Sequence, residues 1–200
     1  MLNRRDFSKL ALATGTGAVA ASSWSGPAWD AVTPPPAILN DDGLYEQEWF
    51  LQSFLDLRED LEATDAEGKR FAIFWELQGC PYCKETHFVN FANPEIHDYV
   101  KDNFVILQLN MTGGREVTDF DGTAAPERKI RKKWGVRFSP SIMFFPEGKD
   151  LKTKGDAKAL EIARMPGYFR PPHFMAMFKF VRENAYKSMN FRQYLRAARS

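Results

Sequence analysis

Apolar residues along this chain alternate between helical stripes and short unbroken runs. Over residues 44–61, Trp49, Phe50, Phe54, Leu55, Leu57 and Leu61 recur at helical spacing, which predicts an amphipathic helix ending before the Asp65-Ala66-Glu67-Gly68 turn. Phe71-Ala72-Ile73-Phe74-Trp75 is apolar throughout and reads as a covered strand. A helix opened by Pro81 carries Phe88, Val89 and Phe91 as far as Asn93-Pro94, and helix resumes over 94–100. The run Phe104-Val105-Ile106-Leu107-Gln108-Leu109 is a second covered strand; 111–123, rich in Gly, Asp and Thr, reads as a loop, and 125–134 as a basic helix stopped by Gly135. Ser141-Ile142-Met143-Phe144-Phe145 is a strand, 146–149 a turn, and 160–165 its antiparallel partner, although the connection over 150–158 is longer than a tight hairpin needs. From Pro171, the positions Phe174, Met177, Phe178, Phe180 and Val181 give a strongly apolar helix with its proline at the start, and 191–198 a short last one. Strand, helix, strand, helix, hairpin and closing helix make an α/β fold: a central mixed sheet flanked by helices on both faces.

The first residues follow a different pattern. Asn3-Arg4-Arg5-Asp6-Phe7-Ser8-Lys9 precedes a weakly apolar run over 10–20 that ends in the small-residue site Ala18-Val19-Ala20. Paired arginines, a nearby Phe and Lys, and a weak apolar region are the features of a twin-arginine-type signal peptide, here 1–20. The run is too short for a stable bilayer anchor, so no stable membrane insertion is expected. Residues 21–37, rich in Ser, Pro and Ala, read as a flexible lead-in, which leaves 38–200 for one domain. Twenty-seven Lys and Arg are interspersed with 26 Asp and Glu, and a net charge of +1 argues against nucleic acid or an anionic membrane surface as partner. Seventeen Phe and five Trp point to an aromatic core.

The chemistry concentrates in Cys80-Pro81-Tyr82-Cys83, which holds both cysteines of the chain. A structural bridge, a metal-ligand pair and a redox couple all use such a motif. An exported protein meets an oxidising compartment, yet a bridge over two intervening residues restrains the unfolded chain little, so the pair is better placed for chemistry than for stability. At the start of a helix, Cys80 would have its thiolate favoured by unpaired backbone N–H groups and by the helix dipole, and Pro81 suits the first helical position. Cys80 is therefore expected to attack, and Cys83, one turn further in, to resolve. His87, four residues after Cys83, shares that face of the helix. It is expected at the rim of the site; its other readings are a tuner of the thiols or, with Cys80 and Cys83, a ligand of a soft metal, three ligands being one short of a closed zinc site. Lys84 and Glu85 read as solvated. Arg128, Lys129, Arg131, Lys132 and Lys133 read as the outer face of a helix that could also steer an acidic partner. Ser139-Pro140 stands at a strand entrance, where proline is simply tolerated, or where a cis bond would turn the Ser139 backbone toward the disulfide.

The Phe-rich strand, Cys80-Pro81-Tyr82-Cys83, the strand from Phe104, Gly135-Val136-Arg137-Phe138-Ser139-Pro140-Ser141 and Gly167 together resemble the thioredoxin superfamily over roughly residues 44–185. Within it, Gly79 to His87, the loop Arg115-Glu116-Val117-Thr118-Asp119-Phe120 and the tail from Pro166-Gly167-Tyr168 to Tyr186 resemble the exported SoxW-type thioredoxins. The resemblance implies a thioredoxin-like fold with an extra N-terminal segment and C-terminal helix, thiol-disulfide exchange by Cys80 and Cys83, Pro81 and Tyr82 as support, and a cis Pro140 beside Ser139. It implies no dissociable cofactor beyond the redox-active disulfide. It further implies periplasmic protein disulfides as clients, a membrane thiol-electron donor, a link to sulfur-compound oxidation, and reduction rather than oxidation of clients. Two departures stand out: Phe74 lies where thioredoxins have a buried Asp, with Glu76 nearby, and Pro-Tyr lies between the cysteines, as in glutaredoxins, instead of Gly-Pro.

Overall fold

Strand β3 (Arg70–Glu76) is buried at every position and forms the spine of the domain. In the computed structural model, which describes residues 33–148 and 155–198, it pairs in parallel with β4 (Phe104–Asn110) and antiparallel with β7 (Ser141–Phe144). Strand β8 (Ala163–Pro166) adds to the far side of β7, giving the order β4-β3-β7-β8. The sheet is mixed, as the apolar runs predict. The expected signal peptide 1–20 and most of the lead-in 21–37 lie outside the described residues.

Alternation along β3 divides the core in two. Phe71, Ile73 and Trp75 point to one face, where Leu57 and Leu61 of α1 (Leu57–Ala66) and Ile130 of α4 (Glu127–Lys133) cover them together with Trp134. Ala72 and Phe74 point to the other, against Ile96 and Val100 of α3 (Pro94–Asn103) and Phe174, Phe178 and Val181 of α6 (Pro171–Arg182). Phe104, Phe144 and Phe178 meet edge to face at centroid separations of 4.8 to 6.0 Å, an arrangement that favours the ring quadrupoles. The last helix, α7 (Phe191–Ala197), lays Phe191 and Tyr194 on Phe180.

The stripe over 44–61 is not one helix. Residues 38–39 (β1) and 45–46 (β2) form a small hairpin, and the chain then crosses the sheet in irregular conformation, Leu51 N–H donating to Ile106 O and Thr118 N–H to Leu55 O. Helix α1 starts only after Asp56, whose carboxylate caps the N–H groups of Arg58 and Glu59, and it runs through Asp65 to Ala66. Leu55, at φ +66°, breaks the periodicity just before the cap, and Phe54 is fully exposed. The loop expected over 111–123 contains β5 (Glu116–Thr118), which pairs with β6 (Ala124–Pro126), and the basic helix begins at Glu127. The antiparallel partner of β7 begins at Ala163, later than predicted, because a short helix α5 (Ala157–Leu160) capped by Asp156 occupies the preceding residues.

Half-buried Asp60 takes hydrogen bonds from Ser53, but burial, assisted by Asp56 and Glu59, raises its pKa to about 6. The unfolded carboxyl ionises near 3.8. Its contribution to stability is therefore full below pH 4 and lost as pH rises through 6. Asp60→Asn should gain on wild type by about 1–2 kcal/mol between pH 4 and pH 7, an amount discounted for partial exposure. Urea unfolding at the two pH values measures it.

Candidate active site

Beyond the C-terminal end of β3, Gly79 at φ +72° turns the chain into α2 (Pro81–Glu85). Cys80 is the N-cap, and its Sγ accepts the Cys83 N–H at 3.1 Å, a bond that would favour a thiolate there. Pro81 occupies the first turn, where no N–H is needed. Cys80 and Cys83 are joined as a disulfide with Cα atoms 5.3 Å apart. Cys80 is half-buried, whereas Cys83 is 3% exposed.

Antiparallel pairing sets Trp75 opposite Ser141 and so brings Ser139 and Pro140 to the same end of the sheet. The Ser139-Pro140 bond is cis, Pro140 is buried, and Ser139 Oγ lies 3.0 Å from Cys83 Sγ. Pro140 O accepts the Gly167 N–H at 2.7 Å. Tyr82, exposed between the cysteines, stacks on Tyr168 at 6.0 Å; burial and neighbouring Glu85 raise the Tyr168 pKa. Lys84 and Glu85 are exposed, as the sequence suggests.

Helix α2 continues as a π-turn over Thr86–Asn90, closed by Phe91 N–H donating to Thr86 O. The wider turn shifts the helical phase. Phe88 and Val89, two of the apolar residues that this helix carries, are exposed, while Thr86, His87 and Asn90 point inward. His87 is thus not at the rim: it is 1% exposed, with Nε2 3.1 Å from Glu76 Oε2 and Nδ1 3.1 Å from Gln47 Nε2. Gln108 donates to Glu76 Oε2 and also to Tyr45 O, and Asn40 donates to Gln108 Oε1. With the cysteines joined as a disulfide, both His87 ring nitrogens are engaged by Glu76 and Gln47. Among the described residues, the set of Cys, His, Asp and Glu ligand atoms that converges is Asp119, Asp121 and Asp156, and Lys133 Nζ already bonds to Asp119 and Asp121.

The sequence reading missed this buried network and the role of Glu76 in it. One signal was present, a lone carboxylate at the end of an apolar strand, but Gln47 and Gln108 carried none.

A strand-to-helix disulfide facing a cis proline across a mixed sheet defines the thioredoxin-fold class. Residues 57–182 match the model of the thioredoxin-like domain, and the chain belongs to that family. Among solved structures, a thioredoxin-fold protein from Helicobacter pylori is similar at 18% identity and TM-score 0.52, over 64% of this chain and 83% of that one. A thioredoxin from Thermus thermophilus aligns at 15% identity and TM-score 0.47, over 63% of this chain and 83% of that one. The C-terminal domain of Neisseria meningitidis DsbD, in its oxidised form, aligns at 16% identity and TM-score 0.39, over 62% of this chain and 90% of that one. At these identities the likeness concerns the fold. No curated protein matches the chain significantly.

Removing one member of the buried network leaves the others without partners. His87→Ala and Glu76→Ala should each cost about 2–4 kcal/mol in urea unfolding, and Glu76→Gln, which keeps hydrogen-bonding capacity, clearly less.

Proposed function

We propose that this protein is an exported thiol-disulfide oxidoreductase that reduces protein disulfides, with Cys80 as attacking thiol and Cys83 as resolving thiol. The observation that carries the reading is the unequal access of the two sulfurs: Cys80 half-exposed at a helix cap, Cys83 buried behind it against Ser139. A client sulfur can reach the first and not the second.

In the reduced protein the Cys80 thiolate attacks one sulfur of a client disulfide. The client S–S bond breaks, a mixed disulfide forms, and the second client sulfur leaves as a thiolate that takes up a proton. Cys83, giving up its proton, then attacks Cys80 Sγ and restores the internal disulfide, and the first client sulfur leaves as a thiol. The client gains two electrons and the protein loses two, to be resupplied by a thiol donor, which we place in the membrane. Cys80 and Cys83 supply all the redox chemistry in this scheme, with Pro81, Tyr82, Ser139 and Pro140 shaping the site.

The location assigned is the periplasm, reached through the twin-arginine route, and the support for it is the sequence of residues 1–20. Among the described residues no helix is long and apolar enough to cross a membrane. The resemblance to SoxW-type thioredoxins supports a place in sulfur-compound oxidation.

Two measurements test the reading. Cys83→Ser should accumulate mixed disulfides with client proteins, seen as adducts on non-reducing gels, and Cys80→Ser should not; the reverse pattern would refute the assignment. Equilibration with glutathione should give a reducing potential, and a strongly oxidising one would turn the direction around.

A further inference from the structure

A groove of about 280 Å³ runs beside Ser139, lined by Leu77, Met111, Thr112, Arg131, Arg137 and Ser139 itself. Three separate stretches build it: the connection from β3 to α2, the residues just after β4, and the stretch from α4 to β7. Ser139 belongs to both places, since its hydroxyl lies 3.0 Å from Cys83 Sγ. A client chain joined to Cys80 would therefore lie close to the groove.

Its lining holds two guanidinium groups and no carboxylate. Nearby cations are already matched, Arg115 by Glu127 and Lys133 by Asp119 and Asp121. Arg131 and Arg137 are not: among the described residues neither has a carboxylate within ion-pair distance. Arg131 donates Nη1 to Val136 O, while its Nε is buried with no acceptor. Guanidinium groups with no carboxylate beside them keep donors that an incoming anionic acceptor can take up. Guanidinium groups suit a carboxylate in particular, which can accept two parallel bonds. Leu77 and Met111 supply apolar walls for the methylenes of such a side chain.

We propose that this groove is a specificity subsite for an acidic side chain, Glu or Asp, adjacent in the client polypeptide to the cysteine that Cys80 attacks. The assignment rests on the oxidoreductase reading and adds a substrate class to it. The arginines here hold and orient the client and take no part in electron transfer. The groove opens next to Ser139, beside the sulfur pair to which a client chain would be joined, which favours a polypeptide over a free carboxylate-bearing disulfide.

The test uses the full chain with dithiothreitol as donor and a set of disulfide-closed peptides identical except for Glu, Gln or Lys beside one cysteine. The Glu peptide should be reduced with kcat/KM about five- to tenfold above the Gln peptide, and the Lys peptide should fall below both, as expected for a few partly screened charge contacts. The difference should lie mainly in KM and shrink with added salt. Arg137→Gln, at an exposed position, and Arg131→Gln should bring the Glu-to-Gln ratio toward one; if Arg131→Gln fails to fold, Arg137→Gln and the wild-type series decide. Equal rates for the three peptides would overturn the subsite and leave the oxidoreductase reading standing. Arginine-dependent reduction of oxidised glutathione without any peptide preference would overturn it in favour of a small disulfide. No turnover of any peptide or of insulin would overturn both readings.

Discussion

The register between β3 and β7 is the constraint on which the site depends. Because the strands run antiparallel with Trp75 opposite Ser141, the residues that follow β3 and those that precede β7 must emerge at the same end of the sheet. Nearly 60 residues of sequence separate Cys80 from Ser139, and this one pairing cancels that separation. A slip of one residue would turn Phe71, Ile73 and Trp75 onto the wrong face, where the packing of α1 and α4 would be lost. The core of one face and the geometry of the disulfide are therefore set by the same hydrogen-bond ladder.

A second tie works from the other face of β3. Glu76 continues the row begun by Ala72 and Phe74, and it engages His87 at the end of the redox helix and Gln108 on β4. Gln47 completes the link to the N-terminal hairpin. The helix that presents the cysteines is thus anchored at its start by the Cys80 cap and at its end by a buried polar contact. His87, four residues after buried Cys83, lies on the same inward face, and Phe88 and Val89 of the π-turn are left outside.

The central strands, the redox helix and the helices at 94 and 171 were legible in the sequence because their signals are local: unbroken apolar runs, a proline at a helix start, an Asn before a proline. The stripe at 44–61 misled because spacing counts apolar residues and is blind to where backbone N–H groups go. Leu51 and Thr118 show the difference, since their N–H groups bond across the segment and sheet instead of along a helix. In the site, Cys80, Cys83 and the Ser139-Pro140 pair could be read from the motif and its resemblance. That His87 shares a face with Cys83 could be read from the spacing, but its burial and its partners could not, because Glu76 and Gln47 come from other elements of the fold. The arginine groove was half legible: the basic run suggested an acidic partner, but five cations on one helix look alike until their partners are known.

Those partners also bear on how Cys83 is served during the proposed reaction. Thioredoxins keep a buried carboxylate at the position filled here by Phe74, whose ring packs against Phe50, His87 and Phe91. Glu76 is nearest to that position in the sequence, but its oxygens are taken up by His87 and Gln108. At Cys83 the side-chain partner is the Ser139 hydroxyl. A hydroxyl can donate to a thiolate and accept from a thiol, so it can stay bonded to the sulfur through both protonation states without changing its own charge. The hydroxyl cannot itself take the proton that Cys83 gives up, so in the proposed reaction that proton ends on the departing client sulfur, and Ser139 serves to hold the Cys83 sulfur in place.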